Sequence, residues 1–465
     1  MRKKLFLLLL LVACIALSGC ALVVKDPVRD AQQVIVDVNG ETVDKQTVKE
    51  SIADYTNYMY SNYAQMYAMY GMSFDPKNID TTGYPQQVID NTVQELVLKQ
   101  KFAALPELAF NEEDEKAIAE EAQKEYDQNI DQVKTMYLSD SGKEGDELTA
   151  AAQEYALKLD SRYTLDFVKE HVREEKMVEK LREYAIKDVA VTEDDIKAEF
   201  DSRVASAKEN YESNLSSFGS SVNSNGTVYY RPAGYRYVKQ ILVGFPDDLK
   251  TAITDANSAK NTAQTAVNNA QKAVDDNVNA LAAEGLTDEA KAELEAAAEG
   301  LKTTLAEAQA DLEQKTAAAD KALAAAFEAI QPTLDEVKTK LAAGEDFEAL
   351  MEQYNTDPGM KTEPGKTNGY AVCEGFSSFD PAFVTAAMGL EKIGDVSEPV
   401  KSDSYGYYII RYQSDIEEGP VALEDVRSIV EPAALNAKQN NTYNDTVKKW
   451  TDEAKVKTYI DRLSN

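Results

Sequence analysis

The chain has 465 residues, and 49 Lys and Arg against 81 Asp and Glu leave a formal net charge of −32. That balance repels phosphate backbones and argues against a nucleic-acid partner, while it favours solubility and attracts basic clients or cations. One histidine and three cysteines exclude a histidine metal cluster and leave almost nothing for a disulfide framework, so the fold must rest on buried apolar surface. The length suits two or three domains.

Arg2, Lys3 and Lys4 precede an apolar run from Leu5 to Leu17 that closes in Ser18-Gly19-Cys20. A basic stretch, an apolar core and a small-residue site describe a secretory signal, and the run is short of the roughly 20 residues a spanning helix needs. The cysteine after Leu-Ser-Gly resembles a bacterial lipobox. That resemblance implies cleavage before Cys20, a diacylglyceryl group on its sulfur and anchoring to the membrane outside the cytoplasm; an ordinary signal with an incidental cysteine is the alternative. With Cys14 in the signal and Cys20 lipidated, only Cys373 remains free.

"VIVDVNGETVDKQTVKES" predicts a strand, an Asn39-Gly40 turn, a second strand and a helix capped by Asp44. To about residue 214 the pattern is helical, with breaks near 71–83 and 139–145. Within it, "DYTNYMYSNYAQMYAMYGM" (54–72) sets Tyr55, Met59, Tyr63, Met66, Tyr67 and Tyr70 on one helix face, either as domain core or as an adaptable client surface. His171 lies on a helix and is read as structural. Thr192 caps the helix that starts "VTEDDIKAEF". "LSSFGSSVNSNGTVYY" reads as a loop or linker holding a domain boundary, and "YRYVKQILVGF" (235–245) as a strand.

From about 249 to 330 alanine dominates. One seam runs Ala256, Ala259, Ala263, Ala266, Ala270, Ala273, and a second runs Leu294, Ala298, Leu301, Leu305, Ala308, Leu312, with a break at Glu284-Gly285. This pattern predicts an antiparallel helical hairpin of limited independent stability, whose removal (about 250–328) leaves its host folded. A helix, a glycine stop and a second helix follow in "LDEVKTKLAAGEDFEALMEQY". In "SDSYGYYIIRY" strict alternation puts Tyr405 and Tyr407 on one strand face and Tyr408 on the other, and Gly406 signals a bend or close backbone approach. A helical stretch runs from Leu423 to the end.

The segments "VKQILV", "LAAGEDFEALMEQYNTDPG", "FDPAFVTAAM" and "IGDVSEPVKSDSYGYYII", in that order, resemble a parvulin-type peptidyl-prolyl isomerase domain. The flanks, a lipobox, a strand-turn-strand opening into helices and a C-terminal amphipathic helix, are similar to the PrsA and SurA class of extracytoplasmic foldases. The resemblance implies an α+β architecture. A mostly helical SurA-like chaperone domain (33–214), completed by a C-terminal helix (420–465), is interrupted by a linker (215–230) and a small parvulin-like domain (231–416). That domain has a four-stranded sheet and helices and carries the Ala-rich hairpin (249–330) as an insertion; the signal peptide is 1–20.

For the site the resemblance implies substrate-binding Phe379, Phe383 and Met388, and Asp357 at the family's cysteine-or-aspartate position. Gln240 and Tyr408 stand where the family usually has two histidines, so Gln240, Asp357 and Tyr408 are the catalytic candidates. No cofactor or metal is implied, because amide rotation needs neither. The implied partners are unfolded or prolyl-containing secreted polypeptides and, through the lipid, the membrane; a homodimer through the N-terminal domain stays open. Two readings stand: an isomerase with a substituted hydrogen-bond floor, or a parvulin-fold peptide-binding chaperone or adaptor with weak or no catalysis.

Overall fold

The computed structural model describes residues 26–464, so Cys20 and the N-terminal apolar run lie outside the described residues. No described helix is long and apolar enough to cross a membrane. The chain divides into two compact units, one formed by the segments up to Val191 and from Ala434 onward, the other by Thr192–Ala433.

The first unit begins with α1 (Pro27–Ala31), β1 (Val34–Val38) and β2 (Glu41–Asp44). Asn39 (φ 54°) and Gly40 (φ 94°) make the expected hairpin turn, since both central positions need positive φ. Asp44 caps α2 (Lys45–Met69) by accepting from the Thr47 amide at 2.9 Å. Helices α3 (Tyr84–Ala103), α4 (Glu112–Tyr137), α5 (Gly145–Leu159) and α6 (Leu165–Ile186) follow; the breaks before α3 and α5 are the expected ones, and those at 104–111 and 160–164 are additional. Ile35, Val36 and Val38 of β1 pack with Ile89 and Val93 of α3, Leu181 of α6, and Val447 and Trp450 near the C-terminus. His171 is a surface residue on α6, 3.7 Å from Glu175.

The C-terminal segment completes this unit differently from the prediction. The helix that starts at Leu423 stops at Glu453, and Val456–Thr458 then pairs antiparallel with β1. This strand is exposed along its length and is held by backbone pairing, so no apolar alternation announces it.

In the second unit, Thr192 caps α7 (Glu193–Ser213) in a capping box with Asp195. The predicted linker is instead structured: Ser216–Asn223 forms α8, and Phe218 is buried against Tyr211 and Tyr235. One buried aromatic outweighs the Ser/Gly/Asn composition, because burying a ring of that size is worth about 1.5–3 kcal/mol. After β3 (Tyr230–Arg231), the sheet consists of β4 (Arg236–Gly244), β5 (Tyr370–Val372), β6 (Val400–Ser402) and β7 (Gly406–Asp415), in the order β5-β4-β7-β6 and antiparallel throughout. Register pairs Gln240 with Ile410, Leu242 with Tyr408 and Gly244 with Gly406.

The hairpin leaves β4 as α9 (Asp247–Leu281) and returns as α10 (Asp288–Ala342). Gly285 at φ +83° turns the chain where predicted. The second-arm seam is as read from the sequence, but in the first arm Ala266 is exposed and Val267 takes the inward place after the buried Ala263. Buried Asn277 donates to the Leu294 carbonyl at 3.2 Å and fixes the pairing of the arms.

α10 runs without interruption into the domain, with Pro332 inside it, so hairpin arm and domain helix are one element. Ala326, Phe327, Ile330, Leu334 and Val337 pack with Ile253 of α9, with α11 (Phe347–Tyr354) and with Ile241, Val243 and Ile409 on one sheet face. Removing 250–328 would therefore strip Ile253, Ala326 and Phe327 from a core, contrary to the prediction that the host is indifferent. The other sheet face, with Val238, Leu242, Tyr408 and Ile410, packs on α13 (Pro381–Gly389), reached through the short α12 (Gly365–Asn368) and β5.

Candidate substrate groove

The second sheet face does not close completely. At its end a cavity of about 170 Å³ lies among Gln240 and Leu242 of β4, Asp357, Tyr370, Phe379 and Asp380, Phe383 of α13, and Tyr405 and Tyr408. The aromatic wall is built edge to face. Phe379 and Phe383 stand 5.7 Å apart at 90°, Phe383 and Tyr408 are 5.2 Å apart, and Tyr370 lies 4.9 Å from Phe379. Phe383 is buried at 3% exposure, whereas Tyr405 is 51% exposed and stands at the mouth.

The polar floor is centred on Asp357. Its Oδ2 accepts from Gln240 Nε2 at 2.6 Å and from the Tyr370 hydroxyl at 2.9 Å. Its Oδ1 accepts from the Gly359 amide at 2.9 Å, capping the short turn Pro358–Lys361. Gly359 is required there, since a Cβ would lie 1.9 Å from the Tyr370 hydroxyl. Its nitrogen donates to Asp357, and among the described residues Gln240 Oε1 is buried with no hydrogen-bond donor. Such an acceptor costs about 1–3 kcal/mol until something donates to it.

A second polar cluster holds the opposite side. Asp380 caps α13 by accepting from the Ala382 amide at 2.9 Å and also accepts from the Ser402 hydroxyl. Burial first, and then the charge of Asp380, push the Tyr408 phenol above its ordinary value, with Ser402 opposing. Burial and then the Asp357 charge do the same for Tyr370. Both phenols stay protonated throughout the neutral range, so they act as fixed dipoles rather than titrating groups.

Five predicted residues meet in this cavity: Gln240, Asp357, Tyr408, Phe379 and Phe383. Met388 does not line it. Met388 is five positions after Phe383, a step of about 140° around an α-helix. Met388 instead packs partly buried on the domain core, and its carbonyl accepts from Arg236 at 3.4 Å. The sequence reading missed Tyr370, Tyr405, Asp380 and Leu242. Tyr407, as expected, faces away and packs 5.1 Å from Phe327. Tyr405 does not share its face, because β7 begins only at Gly406. That glycine has φ +124°, and a Cβ on it would meet the Val243 carbonyl at 2.2 Å.

A family model described as PPIC-type PPIase domain matches residues 315–414, and one described as SurA-like N-terminal domain matches residues 1–123. The chain joins a SurA-like domain to a parvulin-type isomerase domain. The isomerase match begins inside the second hairpin arm, so β4 with Gln240 lies outside it. The hairpin lies between β4 and most of the matched segment, and β4 pairs with β5 and β7 in one sheet.

Among relatives, the foldase protein PrsA of Clostridium botulinum (strain Hall) is 23% identical over 465 residues, covering 99% of this chain and 98% of its own. PrsA of Geobacillus sp. (strain WCH70) is 35% identical over 122 residues, 25% of this chain and 42% of that protein. A crystal structure of PrsA from Streptococcus pneumoniae matches at 16% identity and a TM-score of 0.17, over 79% of this chain and 83% of its own; at that score the likeness carries no argument.

Proposed function

We propose that this chain is an extracytoplasmic protein-folding factor whose second unit isomerises prolyl peptide bonds and whose first unit holds unfolded segments. The observation that carries the reading is the aromatic cavity above the Gln240–Asp357–Tyr370 network. The X-Pro amide rotates over a barrier of about 20 kcal/mol, set by resonance that a 90° twist destroys. A site that seats the proline ring on Phe379 and Phe383 and fits the twisted amide better than the planar one lowers that barrier without a nucleophile or metal. Gln240, Tyr370 and the Gly359 amide all donate to Asp357 and hold that carboxylate in place beneath the ring pocket.

In the first unit, the Met/Tyr-rich stretch 54–72 is divided. Tyr63 and Tyr67 are partly buried on Phe74, while Met66, Met69, Tyr70 and Met72 are exposed, Met69 by 74%. Exposed Met and Tyr at one helix end suit varied unfolded clients, because thioether and phenol side chains adapt to differing surfaces. A signal peptide over 1–20, with a diacylglyceryl anchor on Cys20, belongs to this proposal. Cys20→Ser should release the protein from the membrane or leave it unprocessed, read by membrane fractionation and mass spectrometry.

The non-catalytic reading keeps one observation in its favour: the Tyr370 proton and one of the two Gln240 amide protons already go to Asp357. A prolyl tetrapeptide assay with the full chain decides between the two. Acceleration over the uncatalysed rate that Phe383→Ala abolishes supports the isomerase. Binding without acceleration supports the adaptor.

A further inference from the structure

A second, larger cavity of about 500 Å³ adjoins the groove and shares Leu242, Asp357 and Tyr405 with it. Its far wall belongs to the inserted hairpin: Ile253, Thr254 and Asn257 of α9 face the domain's Thr356 and Pro358 across it. We propose that the hairpin lengthens the substrate groove, so that the polypeptide on one side of the isomerised proline lies extended in this cavity against α9. The inference rests on the groove reading above.

Three observations point to an extended peptide as the occupant. The shared residues form a rim common to both cavities, so a chain whose proline sits on Phe383 passes directly from one to the other. The wall has the chemistry of backbone recognition. The Asn257 amide, exposed and free of hydrogen bonds among the described residues, offers a donor and an acceptor, and Thr254 Oγ gives its proton to the Lys250 carbonyl at 2.9 Å and keeps lone pairs for a peptide N–H. Such groups read the main chain and leave client sequence open, while buried Ile253 and Leu242 provide an apolar base.

The third observation is the continuation. Ser258, Asn261, Thr262 and Thr265 carry the same uncharged face along α9, and they line a shallow hollow that includes Thr254 and Asn257. In a chain of net charge −32, these α9 residues are uncharged; the carboxylates of the larger cavity, Asp357 and Asp403, stand on the domain side, and Lys250 lies at the start of α9. From Thr254 to Thr265 the helix rises about 17 Å, the span of about five extended residues.

The test uses the full chain and two series of fluorescent peptides. Each starts from one prolyl tetrapeptide and grows by one to seven residues, on the N-terminal side in one series and the C-terminal side in the other. Affinity is read by anisotropy and turnover by isomerisation rate. Affinity should climb along one series only and level off after about five added residues. Asn257→Ala and Thr254→Arg, both exposed helix positions whose folding circular dichroism verifies, should each lower the long-to-short affinity ratio about fivefold, the worth of one net hydrogen bond. A flat response in both series, or variants that leave the ratio at its wild-type value, overturns the extended groove while tetrapeptide turnover stands. Absence of tetrapeptide binding and turnover overturns the groove reading itself, and the extension with it.

Discussion

Phe383→Ala tests whether the wall of the groove is also its working part. The ring is 3% exposed, meets Phe379 at 5.7 Å and Tyr408 at 5.2 Å, and belongs to the core on the α13 side of the sheet. Truncating a buried Phe costs about 3–5 kcal/mol where the void cannot relax. Here the void opens onto an existing cavity, so water can enter, and the lower end, about 3 kcal/mol, is expected. Urea unfolding with an unchanged slope should report that loss as a lower midpoint. Prolyl turnover, measured at a temperature where circular dichroism shows the variant folded, should fall at least tenfold, because losing about 1.4 kcal/mol of transition-state contact is enough to do so. Phe383→Leu should recover part of both. Full turnover per folded molecule in Phe383→Ala, despite lower stability, would refute the argument and make this ring core alone.

Gln240→Leu removes the 2.6 Å donor to Asp357, worth about 1.5–3 kcal/mol, but also the unpartnered Oε1 that costs about 1–3 kcal/mol, so the net loss should stay below about 2 kcal/mol, read by urea midpoint. Excising hairpin residues 270–301 and rejoining the arms with a glycine turn should leave one cooperative unfolding transition, whereas excising 250–328 should lower the midpoint markedly by removing Ile253, Ala326 and Phe327 from the core. Tyr235, Tyr370 and Tyr408 all have phenol pKa values raised chiefly by burial. Their unfolded counterparts ionise first, so stability should be intact below about pH 10 and fall as pH rises beyond it, measured by thermal unfolding across alkaline buffers. Between about pH 6 and 9 turnover should be flat, since no imidazole lines the groove.

The elements that sequence pattern made legible are those with strong local chemistry. Asn39-Gly40, Asp44 and Thr192 act through turn and cap geometry that the local residues determine by themselves. The second hairpin seam followed from leucine spacing, whereas alanine at two adjacent registers gave no reason to prefer Val267 over Ala266. Gln240, Asp357, Phe379, Phe383 and Tyr408 were legible through resemblance, and the fold brings all five to one cavity. Tyr370 was not, because its role depends on Gly359, which leaves room for its hydroxyl from the far side of a turn. Tyr405 was assigned to the wrong face because alternation assumes a strand that has not yet begun; the positive φ of Gly406 resets the direction. Met388 was placed by motif rather than by helix angle, and the helix turns it away.

The most direct test of the central claim is exchange spectroscopy on a short prolyl peptide with the full chain present at a small fraction of the peptide concentration. Cis and trans forms interconvert unaided over about 10–100 s. The account predicts that substoichiometric protein brings exchange into the range of seconds or faster, with the equilibrium ratio unchanged and Phe383→Ala ineffective. A peptide that binds in the groove while its exchange stays at the uncatalysed rate would contradict the isomerase and leave a peptide-binding module.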